Sequence, residues 1–282
     1  MTSADIAIQD VFTMRSGSLS VPARIRICGH RLVKRRVPTV RKTALFSAAL
    51  ASLAALAPLQ AQHLNVKPAG RHWQAVILPS ADTLRFTIWV PQGLGTSNGA
   101  AKVPLLLATY FGGLVTPYMG GAYMDMLVVQ ALADLGAVIV APDAHSTTGW
   151  SPDDEQRLIW LVKEMMRIYP IDPAKVAMTG FSAGGRQAWY IANRNQDLFT
   201  AVIPVAAPIR ELPPNPWKIP AFVVHSTADE RVVVGPVKEY VAAQRAAGAP
   251  MEIHLVDGIS HNRTSDFAEA LSHAIPWLER VW

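Results

Sequence analysis

The chain has 282 residues, 50% hydrophobic and 17% charged, with 8 Trp, 8 Phe, 6 Tyr and one cysteine. That allows one large domain or two small ones at ~100–200 residues each, excludes a disordered or collagen-like chain, and excludes an intramolecular disulfide or a thiolate zinc site. The formal charge of +5 is unevenly placed, because residues 1–61 hold nine Lys/Arg against two Asp and leave 17 basic and 19 acidic side chains in 62–282; the larger part offers no electrostatic case for binding nucleic acid.

The N-terminal sixty residues read as an address. Lys34-Arg35-Arg36 and Arg41-Lys42 form a basic cluster, and the apolar run Ala44–Ala57 follows. A fourteen-residue helix spans ~21 Å, short of a ~30 Å hydrocarbon core. Small Ala61 ends the stretch Pro58–Ala61. Positive segment, apolar segment and small-residue exit are the layout of a secretory signal peptide, so a secreted or periplasmic protein cut near Ala61 is expected. The expected organisation is a signal region over 1–61, longer before its basic cluster than usual, and one catalytic domain over 62–282. Cys28, the lone cysteine, falls in the removable part. No apolar run reaches the ~20 residues of a membrane span.

Beyond it, strand and helix patterns alternate. Leu84–Val90 alternates apolar and polar like a half-buried strand. Val103–Tyr110, Ala137–Ala141, Val176–Thr179, Ala201–Ala206, Ala221–His225 and Glu252–Val256 are short continuous apolar runs, as expected of strands buried on both faces. Between them, Pro152–Tyr169 carries Leu158, Leu161, Val162, Met165, Met166 and Tyr169 at helical spacing. Ser151 is its expected cap, and Asp153, Asp154 and Glu155 suit the positive end of the helix dipole. Ala183–Asn193, Pro236–Ala247 and Thr264–Val281 complete the helices. The order predicts an α/β fold, a mostly parallel sheet of about eight strands with helices on both faces. Ligands in such sheets bind beyond the carboxyl ends of the strands. The Pro-rich stretch Pro208–Pro220 is too short for a large cap domain.

One loop stands out chemically. Gly180-Phe181-Ser182-Ala183-Gly184 lies between a strand and a helix, the setting of a nucleophile elbow. Serine needs a base to become a good nucleophile, and in this fold an acid and then a histidine follow it in sequence. Asp229 lies just past one apolar strand, with Glu230 as its rival, and His261 lies in the loop after the last strand. His254 sits mid-strand, His273 lies on the last helix with solvent as its expected surroundings, and His225 precedes Asp229 too closely to pair with it. Oxyanion donors are expected from Ala183 N–H at the helix start and from the loop Phe111-Gly112-Gly113, with Gly113 first and Gly112 or Phe111 as alternatives. Gly112, Tyr118, His145 and Trp150 are candidates to line a substrate pocket, Trp150 by stacking on a ring. Met119, Tyr123 and Met124 fit either an acyl pocket or the core.

From Leu84 to Trp282 the sequence resembles the α/β-hydrolase esterases. It is similar to secreted single-domain esterases related to the prolyl-oligopeptidase catalytic domain and to feruloyl, acetylxylan and polyhydroxybutyrate-type esterases. The resemblance rests on Asp172-Pro173 before VAMTGFSAGG, Trp189, Asp197-Leu198-Phe199 before AVIPVAA, and the segments IPAFVVHSTADERVV and DGISHN. Two positions depart: Phe111-Gly112 stands where the family has His-Gly, and Ser260 stands where a glycine often precedes the histidine. The resemblance implies hydrolysis of small-molecule or polymer-attached esters by Ser182, His261 and Asp229, with no metal or cofactor; the charge balance already argues against nucleic acid. The alternatives are a peptidase or thioesterase on the same fold, or a binding protein that has kept it.

Overall fold

The computed structural model describes residues 64–94, 101–210 and 215–282. The expected signal region and the centre of the Pro-rich connection lie outside the described residues.

Eight strands form one sheet: β1 (Gly70–Ile77), β2 (Thr83–Val90), β3 (Val103–Thr109), β4 (Val138–Pro142), β5 (Ile171–Phe181), β6 (Ala201–Val205), β7 (Ala221–Ser226) and β8 (Met251–Val256). Their spatial order is β1-β2-β4-β3-β5-β6-β7-β8. The β1–β2 and β2–β4 pairs are antiparallel, and all others are parallel. The expected class therefore holds. The apolar runs explain it: Leu105 to Thr109 are buried without a gap, and successive strand residues face opposite ways, so β3 is covered on both faces. β1 escaped the sequence reading. It is an edge strand whose outer residues, such as Trp73 at 61% exposure, meet solvent.

The helices are α1 (Met119–Tyr123), α2 (Val129–Leu132), α3 (Asp154–Ile168), α4 (Ala183–Arg194), α5 (Val234–Ala246), α6 (Ala268–Ser272) and α7 (Ala274–Val281). α1 and α2 are joined by a π-turn over Met124–Val128. That region gave no clear period, yet Tyr123 and Met124 are wholly buried; they belong to the core and not to an acyl pocket. The expected single helix Thr264–Val281 is broken at His273. Pro276 has no N–H to continue a ladder, so it suits only a helix's first turn.

The start of α3 differs too. Ser151 does not cap it with its side chain. Instead the buried Asp154 carboxylate reaches back to accept Ser151 N–H at 2.9 Å and His145 N–H at 2.7 Å. One buried charge thus fixes the loop after β4, and Arg157 Nη1 donates to the same carboxylate at 3.1 Å.

Residues 215–218 of the Pro-rich connection are tied down beside α4. Asn193 donates to Asn215 O at 2.9 Å, Gln196 donates to Pro216 O at 2.9 Å, and Lys218 N–H donates to Gln196 Oε1 at 2.6 Å. Its Trp217 packs edge-on against Trp189, ring centres 5.2 Å apart, and donates to the Tyr240 hydroxyl at 2.7 Å. Trp189 has no exposed surface. Trp189→Ala removes the centre of this cluster and should lower stability by about 3–5 kcal/mol, the usual cost of emptying a buried aromatic site. Urea unfolding of the two proteins measures it, and a loss below about 1 kcal/mol would show that α4 and the connection close the gap.

Candidate active site

Parallel pairing brings the carboxyl ends of β3, β5, β6, β7 and β8 to one edge of the sheet. Ser182 sits there, between β5 and α4, with φ 54° and ψ −116°. An L-residue adopts such a backbone at a cost of order 1–3 kcal/mol, and only when its surroundings enforce it. Here Ser182 N–H donates to Val205 O at 2.9 Å, and its carbonyl accepts Arg186 N–H at 2.9 Å. Two glycines permit the turn. A Cβ on Gly184 would collide with the carbonyls of Thr109 and Tyr110, and one on Gly180 with Gly184 O and the Thr109 hydroxyl. Thr109 Oγ donates to Gly184 O at 2.8 Å, locking the start of α4 onto the end of β3.

The structure brings Ser182, His261 and Asp229 into one hydrogen-bonded line. His261 Nε2 lies 2.9 Å from Ser182 Oγ. Its Nδ1 lies 2.7 Å from Asp229 Oδ2. The other Asp229 oxygen accepts the N–H groups of Arg231 and Val232 at 2.9 and 2.7 Å. Asp229 and His261 are each 6% exposed, so water competes little for these bonds. Phe181 packs against the imidazole, ring centres 5.2 Å apart, and against Phe267 behind it. The residue between Gly180 and Ser182 thereby supports the ring that faces the serine. The rival carboxylate, Glu230, bonds to the backbone of the histidine loop.

Two clefts meet at Ser182. One, about 530 Å³, is lined by Phe111, Gly112, Gly113, Ala183, Met126 and Thr264 among others. Gly113 has φ 141°, where side chains are strained. A Cβ on Gly112 would stand 3.2 Å from that of Ala183. The glycine loop and the start of α4 therefore face each other closely across the serine. The second cleft, about 630 Å³, carries Arg186, Arg210, Arg231, Ile209, Val233 and Val237 along with Ser182. Those arginines, like Met126 and Thr264, were not singled out from the sequence, where they sit in segments without a motif.

Of the four candidate pocket residues, Gly112 alone lines these clefts. Trp150 is 7% exposed and donates its indole N–H inward to Tyr110 O at 2.7 Å. Its ring tilts against Tyr110 at 5.0 Å, so it braces the interior instead of stacking on a substrate. His145 turns away to Asp82, 3.2 Å from its carboxylate. Tyr118 packs on Trp73 at the sheet edge, ring centres 5.9 Å apart. His254 and His273 stack on one another at 4.5 Å, so His273 meets a neighbouring ring as well as solvent.

His225 is wholly buried at the end of β7. Its Nδ1 faces Ser226 O at 3.1 Å, and its Nε2 has no partner among the described residues. Burial holds its pKa below the usual histidine value; the Ser226 carbonyl and Asp229 oppose that and His261 adds to it.

Residues 112–274 match the dienelactone hydrolase family. No curated protein is significantly similar in sequence. Solved structures share the fold. The chain is 19% identical to a ferulic acid esterase, covering 77% of this chain and all of that one, with a TM-score of 0.58. It is 18% identical to a lidless α/β serine hydrolase from Xanthomonas campestris, covering 76% and 97%, with a TM-score of 0.57. A thermostable esterase matches at 17% identity and a TM-score of 0.58 over 74% of this chain, which spans 62% of that structure's length. The architecture is thus the α/β-hydrolase fold.

The buried histidine gives a test of the site's surroundings. An unfolded histidine takes up its proton near pH 6.5, whereas folded His225 does so only at lower pH. Between those values the unfolded chain binds more protons, so stability falls as pH falls through that window. His225→Gln lacks this contribution. Between about pH 7.5 and pH 5.5, spanning the ordinary histidine value, wild-type protein should lose more urea stability than the variant. Equal losses would show that His225 is not held neutral.

Proposed function

We propose that this chain, which belongs to the dienelactone hydrolase family, is a secreted serine esterase cleaving carboxylic esters through an acyl-enzyme. The observation that carries the reading is the unbroken line from Ser182 Oγ through His261 to Asp229, at the mouth of two clefts.

In the first half-reaction Ser182 Oγ attacks the ester carbonyl carbon while His261 Nε2 takes the hydroxyl proton. Asp229 accepts Nδ1–H, fixing the tautomer and stabilising the imidazolium. Ala183 and Gly113 N–H groups are the proposed donors to the tetrahedral oxyanion. A single such donor is typically worth ~2.7–4 kcal/mol in the transition state. The intermediate collapses with the alcohol leaving, and His261 returns the proton to its oxygen. Water then enters and attacks the acyl carbon while His261 takes its proton; the tetrahedral intermediate collapses, the acid is released, and His261 returns that proton to Ser182 Oγ.

The clefts are open; residues 215–218 of the Pro-rich connection are tied beside α4, and Ile209 and Arg210 at its start line the larger cleft beside Ser182. This favours soluble or polymer-attached esters. The larger cleft joins an apolar wall of Ile209, Val233 and Val237 to three guanidinium groups. It suits an ester with a short apolar arm ending in a negative charge. Secretion rests on the basic, apolar and small-residue pattern up to Ala61, and Leu64, the first described residue, is already buried in the core. Mass spectrometry of the exported protein tests it, with residue 62 as the expected first residue.

Two measurements test the chemistry. p-Nitrophenyl acetate hydrolysis should vanish in Ser182→Ala, and Asp229→Asn should cut kcat by about 10⁴, the effect of presenting the wrong imidazole tautomer. Undiminished turnover in Ser182→Ala would sink the esterase reading. The p-nitrophenyl monoester of glutaric acid should then exceed p-nitrophenyl pentanoate in kcat/KM by about fivefold, the worth of ~1 kcal/mol from exposed ion pairing. The preference should disappear in about 1 M salt, where charges more than ~3 Å apart are screened, and in Arg210→Gln/Arg231→Gln. A neutral ester favoured in all conditions would assign the arginines to another task.

A further inference from the structure

We propose that Glu230 is a positioning residue for His261, its carboxylate holding the backbone of the histidine loop so that the imidazole reaches Asp229 and Ser182 together. The inference rests on the esterase reading and extends it to a residue one place beyond the proposed acid.

The two loops involved are far apart in sequence. Asp229 and Glu230 follow β7, and Ser260 and His261 follow β8, thirty and more residues later. Glu230 uses both carboxylate oxygens across that gap. Oε1 accepts the Ser260 hydroxyl at 2.9 Å, and Oε2 accepts His261 N–H at 3.1 Å. Hydrogen bonds to an ionised acceptor are about twice as strong as neutral ones. Its own backbone N–H first, then His261 N–H and the Ser260 hydroxyl, hold Glu230 below its ordinary pKa, so the carboxylate is charged when it accepts them.

Neighbouring contacts place the same loops in register. Thr227 Oγ donates to Asp257 Oδ1 at 2.6 Å, and Thr227 N–H donates to Val256 O at 2.9 Å. Arg231 Nη1 reaches Asn262 Oδ1 at 3.4 Å. Asp229 and Glu230 thus divide one histidine between them, Asp229 taking the ring and Glu230 the main chain. With its ring alone held, His261 could shift with its loop. With both held, rotation of the imidazole away from Ser182 needs the loop itself to move. Ser260 fits this arrangement. A glycine there would offer no hydroxyl to Glu230, whereas the serine supplies a second anchor immediately before the histidine.

The test compares Glu230→Ala, Glu230→Gln and Ser260→Ala with wild type in p-nitrophenyl acetate turnover. The Nδ1–H proton of His261 is followed in parallel by low-field proton NMR, which needs no substrate. Far-UV circular dichroism and urea midpoints establish that each variant is folded. Glu230→Ala should lower kcat about tenfold with KM within about twofold, since misplacing a reacting group by a fraction of an ångström costs rate and not binding. Its low-field resonance should broaden or move. Glu230→Gln should recover most of the lost rate, because its amide oxygen accepts His261 N–H and its NH₂ donates to the Ser260 hydroxyl. Ser260→Ala, which loses one anchor, should fall between. Glu230→Ala with wild-type kcat and an unchanged resonance overturns the proposal. Equal losses in Glu230→Ala and Glu230→Gln overturn it too, because they would assign the effect to charge alone. Should Glu230→Ala not fold, the Gln and Ser260 variants decide the matter by the same readouts. Turnover surviving in Ser182→Ala would dismiss the esterase reading separately, and the NMR comparison would still judge the clamp.

Discussion

The close seating of α4 against the end of β3 governs everything at the sheet edge. Gly184 meets the Thr109 and Tyr110 carbonyls with no room for a side chain, and Thr109 Oγ bonds Gly184 O. That contact forces the chain to leave β5 in a turn so sharp that Ser182 takes a positive φ. The strain is held by the Ser182 N–H bond to Val205 O, on the strand to the other side. The serine is therefore presented by three neighbouring strands at once. Its hydroxyl needs no loop motion to meet His261, and the glycine loop after β3 arrives opposite Ala183 by the same geometry.

What could be read from the sequence follows from burial. The central parallel strands have buried apolar stretches covered on both faces, which made each of them legible, although β5 starts earlier than its apolar run, at Ile171, through the polar Asp172 and Lys175. The motif around Ser182 was legible because its glycines are required by the turn. Asp229 and His261 were legible because chain order and strand ends fix where such groups must stand. β1 was not, because its outer face is wet and its pattern weak. Trp150 misled because an indole can stack on a ligand or plug a core, and only its 2.7 Å bond to Tyr110 O separates the two. Glu230 was undervalued for a related reason. It is exposed, as a solvated charge would be, yet both its oxygens accept bonds from the histidine loop. Those partners lie some thirty residues away, and no local spacing announces them.

A division of labour follows. The sheet and α4 set the hydrogen-bonded line of Ser182, His261 and Asp229, which depends on a few glycines and backbone bonds. The clefts that would choose a substrate are made by residues after the strand ends, such as Met126, Ile209, Arg210 and Val233. Arg231 lines both clefts and adjoins the Asp229 turn. Change at those surface positions can alter what the clefts admit while leaving the strained serine and its partners in place. Structures under 20% identical share the architecture, as expected when fold and specificity reside in different residues.

The described domain contains no cysteine, so no disulfide braces its active edge. Carboxylates do so instead. Asp143, at the end of β4, accepts Tyr118 N–H at 2.6 Å and Gly120 N–H at 3.1 Å, fixing the path by which the glycine loop enters α1. Asp154 holds the loop after β4 by two more amides. Asp229 holds its own turn, and Glu230 the histidine loop. An ionised carboxylate can accept several amides at once, which a hydroxyl or a side-chain amide cannot match. The cost is desolvation, which shows at Asp143: its pKa is raised, chiefly by burial, although the amides pull it down. Glu230, at the surface, is shifted the opposite way by the same kind of bond. The edge is thus braced by carboxylates in opposite settings, burial disfavouring the charge on Asp143 and hydrogen bonds favouring it on Glu230.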